Sequence, residues 1–232
     1  MLSREQILEE MGLWPIWRLR QSDGSATAAQ SVVDSQPATA TAPVAGESAW
    51  DTLNREIAAC RNCGLCAARQ QAVVGVGDRQ ADWLFIGEGP GAEEDQRGEP
   101  FVGPAGKLLD AMLAAIGLAR GDKVYIANAV KCRPPQNRTP TAEEIATCRP
   151  FLERQIDLIK PRLIVLLGKA AVQAVLGREE AMARLRGEVF SFRGVPVLAT
   201  YHPAYYLRSP LEKARGWEDL CRARRLMREQ TD

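Results

Sequence analysis

Four short apolar runs recur along the chain, at 83–87, 124–128, 163–168 and 195–201, with helix-patterned stretches at about 105–118, 141–160 and 169–177 between them. Runs of this length bounded by Gly, Asn and Pro read as strands rather than buried helices. Their alternation with amphipathic segments predicts an α/β fold, a parallel sheet of four strands with helices on both faces. The runs at 124, 163 and 195 are rich in Val, Ile and Leu, as strands buried on both faces are. A final helix is expected over about 211–229. In open sheets of this kind ligands bind beyond the carboxyl ends of the strands. Three of the four runs end on unusual residues, at Gly87-Glu88-Gly89, at Asn128 and at Tyr201-His202-Pro203, so a site is expected there.

Ahead of this alternation, residues 1–20 form a short amphipathic segment with Trp14 and Trp17, and 21–47 is an Ala/Thr/Ser/Pro-rich flexible linker. The main domain is expected over 48–232. The N-terminal segment reads either as a docking motif for a protein partner or as a helix folding back on the domain. No window approaches the roughly 18 apolar residues that span a bilayer, and the N-terminus lacks a signal-peptide run, so a cytoplasmic protein without membrane association is expected. A formal net charge of +1 gives no long-range field for a polyanion, so any nucleic-acid contact must be local.

Six cysteines in a reducing compartment call for metal ligation or burial rather than disulfides. Cys60-Arg-Asn-Cys63 is a metal-gripping knuckle, and Cys132 and Cys148 supply a second pair. Such a set can close a tetrahedral zinc site or ligate a cubane cluster, and spacing does not choose between them. Cys66 completes a ferredoxin-like start, but residue 70 is Gln, which rules against a ferredoxin. Cys221, on the last helix, reads as a packed thiol.

The turn Gly87-Glu-Gly-Pro-Gly91 follows a strand, and its glycines permit close backbone approach. A phosphate-binding loop is disfavoured, because in the nearby Gly103-Pro-Ala-Gly106-Lys107-Leu108 a Leu stands where a magnesium-binding Ser or Thr is required, and Phe101 stands where the leading Gly should be. The acidic residues that follow the turn suit water activation better than phosphate. His202 is the single histidine of the chain.

Gly87-Glu-Gly-Pro-Gly-Ala-Glu-Glu-Asp95, Pro100-Phe-Val-Gly103, Asn128-Ala-Val-Lys-Cys-Arg-Pro-Pro135 and His202-Pro-Ala204, with the four cysteines, resemble the family 4 uracil-DNA glycosylases over about residues 49–228. The resemblance implies a three-layer α/β/α fold with a mostly parallel sheet, and a [4Fe-4S] cluster on Cys60, Cys63, Cys132 and Cys148. It implies a monofunctional enzyme that flips uracil from single- or double-stranded DNA, hydrolyses its N-glycosidic bond and leaves an abasic site in base excision repair.

The residue types give that reading its chemistry. A flipped base is recognised by stacking and by its Watson–Crick edge. Phe101 suits stacking. The Asn128 amide can donate to uracil O4 and accept from N3–H, a pattern cytosine reverses. His202 near O2 suits stabilisation of the departing anion, as in an oxyanion hole. In the first motif Gly89 stands where another branch of the superfamily carries aspartate, which leaves Glu88 as first choice to orient the water, with the backbone of Gly89 and Gly91 beside it. Glu94 matches a further functional position. Lys131, Arg133, Arg138 and Arg208 are expected on phosphates, with Tyr206 or Leu207 as a wedge. No lysine in these motifs is placed for Schiff-base chemistry, so no strand nicking is expected, and the protein is expected to be a monomer. The alternatives are a non-enzymatic iron-sulfur electron-transfer protein, a nucleotide-binding module, and a variant that attacks through histidine.

Overall fold

A computed structural model describes residues 45–230. Segment 1–20 and nearly all of 21–47 lie outside the described residues. Helix α1 (Ala45–Ala59) already begins inside the stretch expected to be linker, with Trp50, Leu53 and Ile57 buried on one face. A 3-10 turn at Gly64–Ala67 follows, then the two-residue strand β1 (Val76–Gly77) and strand β2 (Trp83–Gly87). Next come α2 (Ala92–Arg97), α3 (Pro104–Ala115) and β3 (Val124–Asn128). After a 3-10 turn at Pro135–Asn137 the chain forms α4 (Ala142–Ile159), β4 (Leu163–Leu167), α5 (Lys169–Leu176) and α6 (Met182–Leu185). It ends with β5 (Val189–Phe192), β6 (Val195–Thr200), α7 (Pro203–Arg208), a 3-10 turn at Pro210–Glu212 and α8 (Lys213–Glu229).

The sheet order is β1-β3-β2-β4-β6-β5. The central four strands are parallel, as expected. The sheet nevertheless has six strands, because β1 and β5 add antiparallel edges. The register pairs Gly87 with Asn128, so the first glycine of the turn and the proposed base-reading amide are cross-strand neighbours.

Alternation along the strands splits the core in two. Leu84, Ile86, Ala127, Ile164, Leu166 and Val197 pack on the side of α1, α4 and α5, and Phe85, Ile126, Val165, Leu167 and Leu198 on the side of α3 and α8. This is the three-layer arrangement. The long α4 is started by a reciprocal cap, in which the Glu144 N–H donates to Thr141 Oγ1 at 3.2 Å and the Thr141 N–H donates to Glu144 Oε2 at 2.8 Å. That cap fixes where Cys148, one turn on, meets the end of β3. No helix among the described residues is long and apolar enough to cross a membrane.

Candidate functional site

The carboxyl ends of β2 and β6 open into a cavity of about 600 Å³. Its wall includes Glu88, Gly89, Gly91, Glu94, Phe101 and His202, together with Arg138, Thr139 and Arg208. Asn128 is not on that wall. It adjoins Phe101 across Gly87, is 2% exposed, and its Oδ1 has no hydrogen-bond partner among the described residues. An ideal Cβ on Gly87 would lie 2.4 Å from Phe101 Cζ and 2.6 Å from Asn128 Oδ1, so glycine is required for the two side chains to meet there. A buried acceptor without a donor costs about 1–3 kcal/mol, so this oxygen has capacity for one further hydrogen bond.

Phe101 is buried with φ 57°, a left-handed conformation uncommon for an aromatic residue. Arg120 holds it there: Nη1 donates to the Pro100 carbonyl and Nη2 to the Phe101 carbonyl, each at 2.8 Å, while Asp110 anchors the guanidinium. The Phe101 ring lies 5.4 Å from the His202 ring, nearly parallel at 26°.

His202 caps α7, its Nδ1 accepting the Ala204 N–H at 3.2 Å. With Nδ1 as acceptor, the neutral ring carries its hydrogen on Nε2 as a free donor. Burial holds the imidazole down at about 4, with Arg208 pushing the same way and Glu94 opposing, so the neutral form prevails at pH 7. Burial raises the Glu88 carboxyl above its ordinary value, against a hydrogen bond from Thr139 and the charge of Arg208.

Glu94 is committed to the backbone. Its Oε2 accepts the Gly91 N–H at 3.1 Å, and its Oε1 accepts Val102 and Gly103 N–H at 3.0 and 3.1 Å. It ties the Gly-rich turn to the loop that carries Phe101.

Two expectations about DNA contacts are corrected. Lys131 is 1% exposed, with its ammonium donating to the Asn128 carbonyl and to Gln155 Oε1, and cannot reach a phosphate. Tyr206 is 1% exposed and hydrogen-bonded through its hydroxyl to Thr200, so it cannot be a wedge. Its position on the inward face of α7 decides this. Leu207, the next residue, is 43% exposed. Arg133 donates to Asn137, and Arg138 makes a two-point contact with Glu144 on the cavity rim.

Cys60, Cys63, Cys66, Cys132 and Cys148 line one small cavity of about 10 Å³. Cys221 is on α8, away from it. Arg69 Nη1 donates to Cys132 Sγ at 2.8 Å, and the Lys131 backbone N–H donates to Cys148 Sγ at 3.3 Å. Burial pushes the Cys148 thiol up to about 11, with Lys131 opposing, and raises Cys132, with Arg69 opposing. Among the described residues no group of three or more His, Cys, Asp or Glu stands ready-made to hold a metal ion. The donor set nevertheless fits a thiolate-bound group: sulfurs face one space, and N–H donors of the kind that stabilise thiolate already point at two of them. Arg69, Arg120, Thr139 and Gln155 were not found from sequence, since nothing in their local pattern separates them from surface polar residues.

A covered parallel sheet with a polar pocket beyond its strand ends defines an α/β ligand-binding scaffold, and that scaffold matches the uracil DNA glycosylase superfamily over residues 74–221. A type-4 uracil-DNA glycosylase of Archaeoglobus fulgidus is 46% identical over 168 residues, spanning 69% of this chain and 84% of the relative. The type-4 enzyme of Pyrobaculum aerophilum is 43% identical, spanning 73% of this chain and 90% of the relative. That of Sulfurisphaera tokodaii is 40% identical, spanning 76% and 84%. The chain belongs to the type-4 uracil-DNA glycosylases of that superfamily.

Proposed function

We propose that the cavity at the strand ends is where this hydrolase of DNA repair excises uracil from DNA, and that the bond is cut by water without nicking the strand. The observation that carries the reading is the buried, partnerless Asn128 Oδ1 beside Phe101. Uracil N3–H supplies the missing donor, and the amide Nδ2–H meets O4. Cytosine reverses both and leaves two buried groups unpaired, at about 1–3 kcal/mol each. Phe101 stacks on the flipped ring.

As the C1′–N1 bond breaks, its electron pair leaves with uracil, and His202 Nε2–H donates to the developing anion at O2. Water adds its oxygen to C1′ and gives its proton to Glu88, which burial makes a stronger base than an exposed carboxylate. The products are free uracil and an abasic site. Glu94 acts as a positioning residue, holding the Gly-rich turn against the Phe101 loop. Arg208 and Arg138, on the cavity rim, meet the phosphates, and Leu207 fills the vacated stack.

Cys60, Cys63, Cys132 and Cys148 are assigned to a [4Fe-4S] cluster in the sulfur-lined cavity. When bound, the cluster supplies a cross-link between the segment after α1, the end of β3 and α4. Such a cluster and free cysteines suit a reducing compartment such as the cytoplasm.

The test is a uracil-containing oligonucleotide incubated with the protein and then treated with alkali. Cleavage at uracil only after alkali is expected, with strong loss in His202→Ala and Asn128→Ala. Intact strands with the unsubstituted protein, or undiminished cleavage in both variants, would overturn the reading. Iron and acid-labile sulfide in the purified protein, with a visible charge-transfer band, test the cluster.

A further inference from the structure

Lys131 carries a charge that no carboxylate among the described residues answers. It is 1% exposed, and its Nζ donates to the Asn128 carbonyl at 2.8 Å and to Gln155 Oε1 at 2.6 Å. Both acceptors are neutral. Gln155 is itself held in place, since its Nε2 donates to the Val74 carbonyl at 2.9 Å and so cannot turn away. A buried ammonium with neutral acceptors alone is costly unless a negative charge lies close by. The sulfur-lined cavity is the neighbour that can supply it. Lys131 lines that cavity, its backbone N–H reaches Cys148 Sγ, and Cys132 follows it directly in the chain.

We propose that Lys131 is the built-in counter-ion of the thiolate-bound group in the cysteine cavity and, through the Asn128 carbonyl, the strut that ties that cavity to the uracil-reading amide. The inference rests on the cluster assignment made above. Four thiolates carry more negative charge than an iron-sulfur core neutralises, so a buried cation at this point offsets the remainder. The same ammonium fixes the carbonyl of the residue whose side chain reads the base. Lys131 is therefore a positioning residue with an electrostatic duty, and each duty has its own readout.

The experiment uses the purified holoprotein and three variants, Lys131→Met, Lys131→Arg and Gln155→Glu. For each, one measures the cluster reduction potential, the rate at which a chelator bleaches the visible band, and kcat and KM on a uracil oligonucleotide. Removing a nearby positive charge disfavours the more negative, reduced cluster. Lys131→Met is thus expected to lower the potential, to bleach on the order of tenfold faster, and to raise KM more than it lowers kcat. Lys131→Arg is expected to keep the potential and the bleaching rate. Should Lys131→Met not fold, Gln155→Glu tests the same point, because a carboxylate beside the ammonium cancels its charge and should lower the potential too. Unchanged potential and bleaching in Lys131→Met and Gln155→Glu would overturn the proposal, even if KM moved, since a mere spacer would move KM alone. Unsubstituted protein without iron would instead overturn the cluster assignment on which it rests.

Discussion

Two cavities among the described residues, the pocket at the strand ends and the cysteine cavity, differ sharply in size and lining. The pocket at the strand ends is about 600 Å³, and the partnerless Asn128 Oδ1 lies buried next to its Phe101 wall. The cysteine cavity is far smaller, about 10 Å³, and two of its sulfurs already accept N–H donors. A site for a ligand that arrives and leaves on every turnover stores unsatisfied groups and strain. A site filled once is satisfied around its rim. The difference teaches which residues should control rate and which should control stability.

Substitutions that respect this division should separate cleanly, and any that cross it would break the comparison. His202→Ala removes the proposed donor to the leaving group and is expected to lower kcat by roughly 10²–10³-fold, measured by single-turnover excision, with a drop in melting temperature of only a few degrees from the lost α7 cap. Asn128→Ala should lower kcat/KM by about 10²-fold through two lost hydrogen bonds to the base, while the visible band stays intact. On the other side, Cys148→Ser or removal of iron by a chelator should lower Tm by roughly 10 °C in a scanning measurement. A comparable drop in Tm for His202→Ala would erase the distinction. Arg120→Ala frees the Phe101 carbonyl and is expected to raise KM about tenfold, because the ring is no longer held in its left-handed backbone. The smallest effect belongs to the rim: Arg208→Ala should reduce the slope of log affinity against log salt by about 1.

Acid sharpens the comparison further. His202 sits at about 4 in the folded chain against an ordinary 6.5, so between those values the unfolded chain binds the extra proton and stability falls as pH drops through that window. Above it, His202 stays neutral and contributes no titration to the rate. The acid limb of kcat/KM is then expected from Glu88, above the ordinary carboxylate range, and should vanish in Glu88→Gln.

The four parallel strands were legible because their Val, Ile and Leu runs are buried on both faces. The edges were not. Strand β1 is two residues long and contains Gly77, and β5 alternates exposed with half-buried positions, so neither has an apolar run. The hairpin joining β5 to β6 turns at Arg193 and Gly194, both with positive φ, and a turn without Asn or Asp gave little notice of itself. In the pocket, Phe101 and His202 share the wall, while Asn128 is buried beside Phe101 rather than lining it. Burial was the quantity sequence could not deliver. Lys131 and Tyr206 read as surface groups because charge and hydroxyl usually seek water, and only tertiary packing turns them inward. Glu94 was recognised as important, but its three backbone N–H partners come from two loops whose meeting no local pattern announces.

Gly87 has a consequence for evolution and for engineering. Because any side chain there would strike Phe101 and Asn128 together, every route to a new base preference must pass through those two larger residues with position 87 held constant. A mutational library aimed at other deaminated bases should freeze it, and clones recovered with a substitution at 87 should have lost excision altogether rather than changed their target.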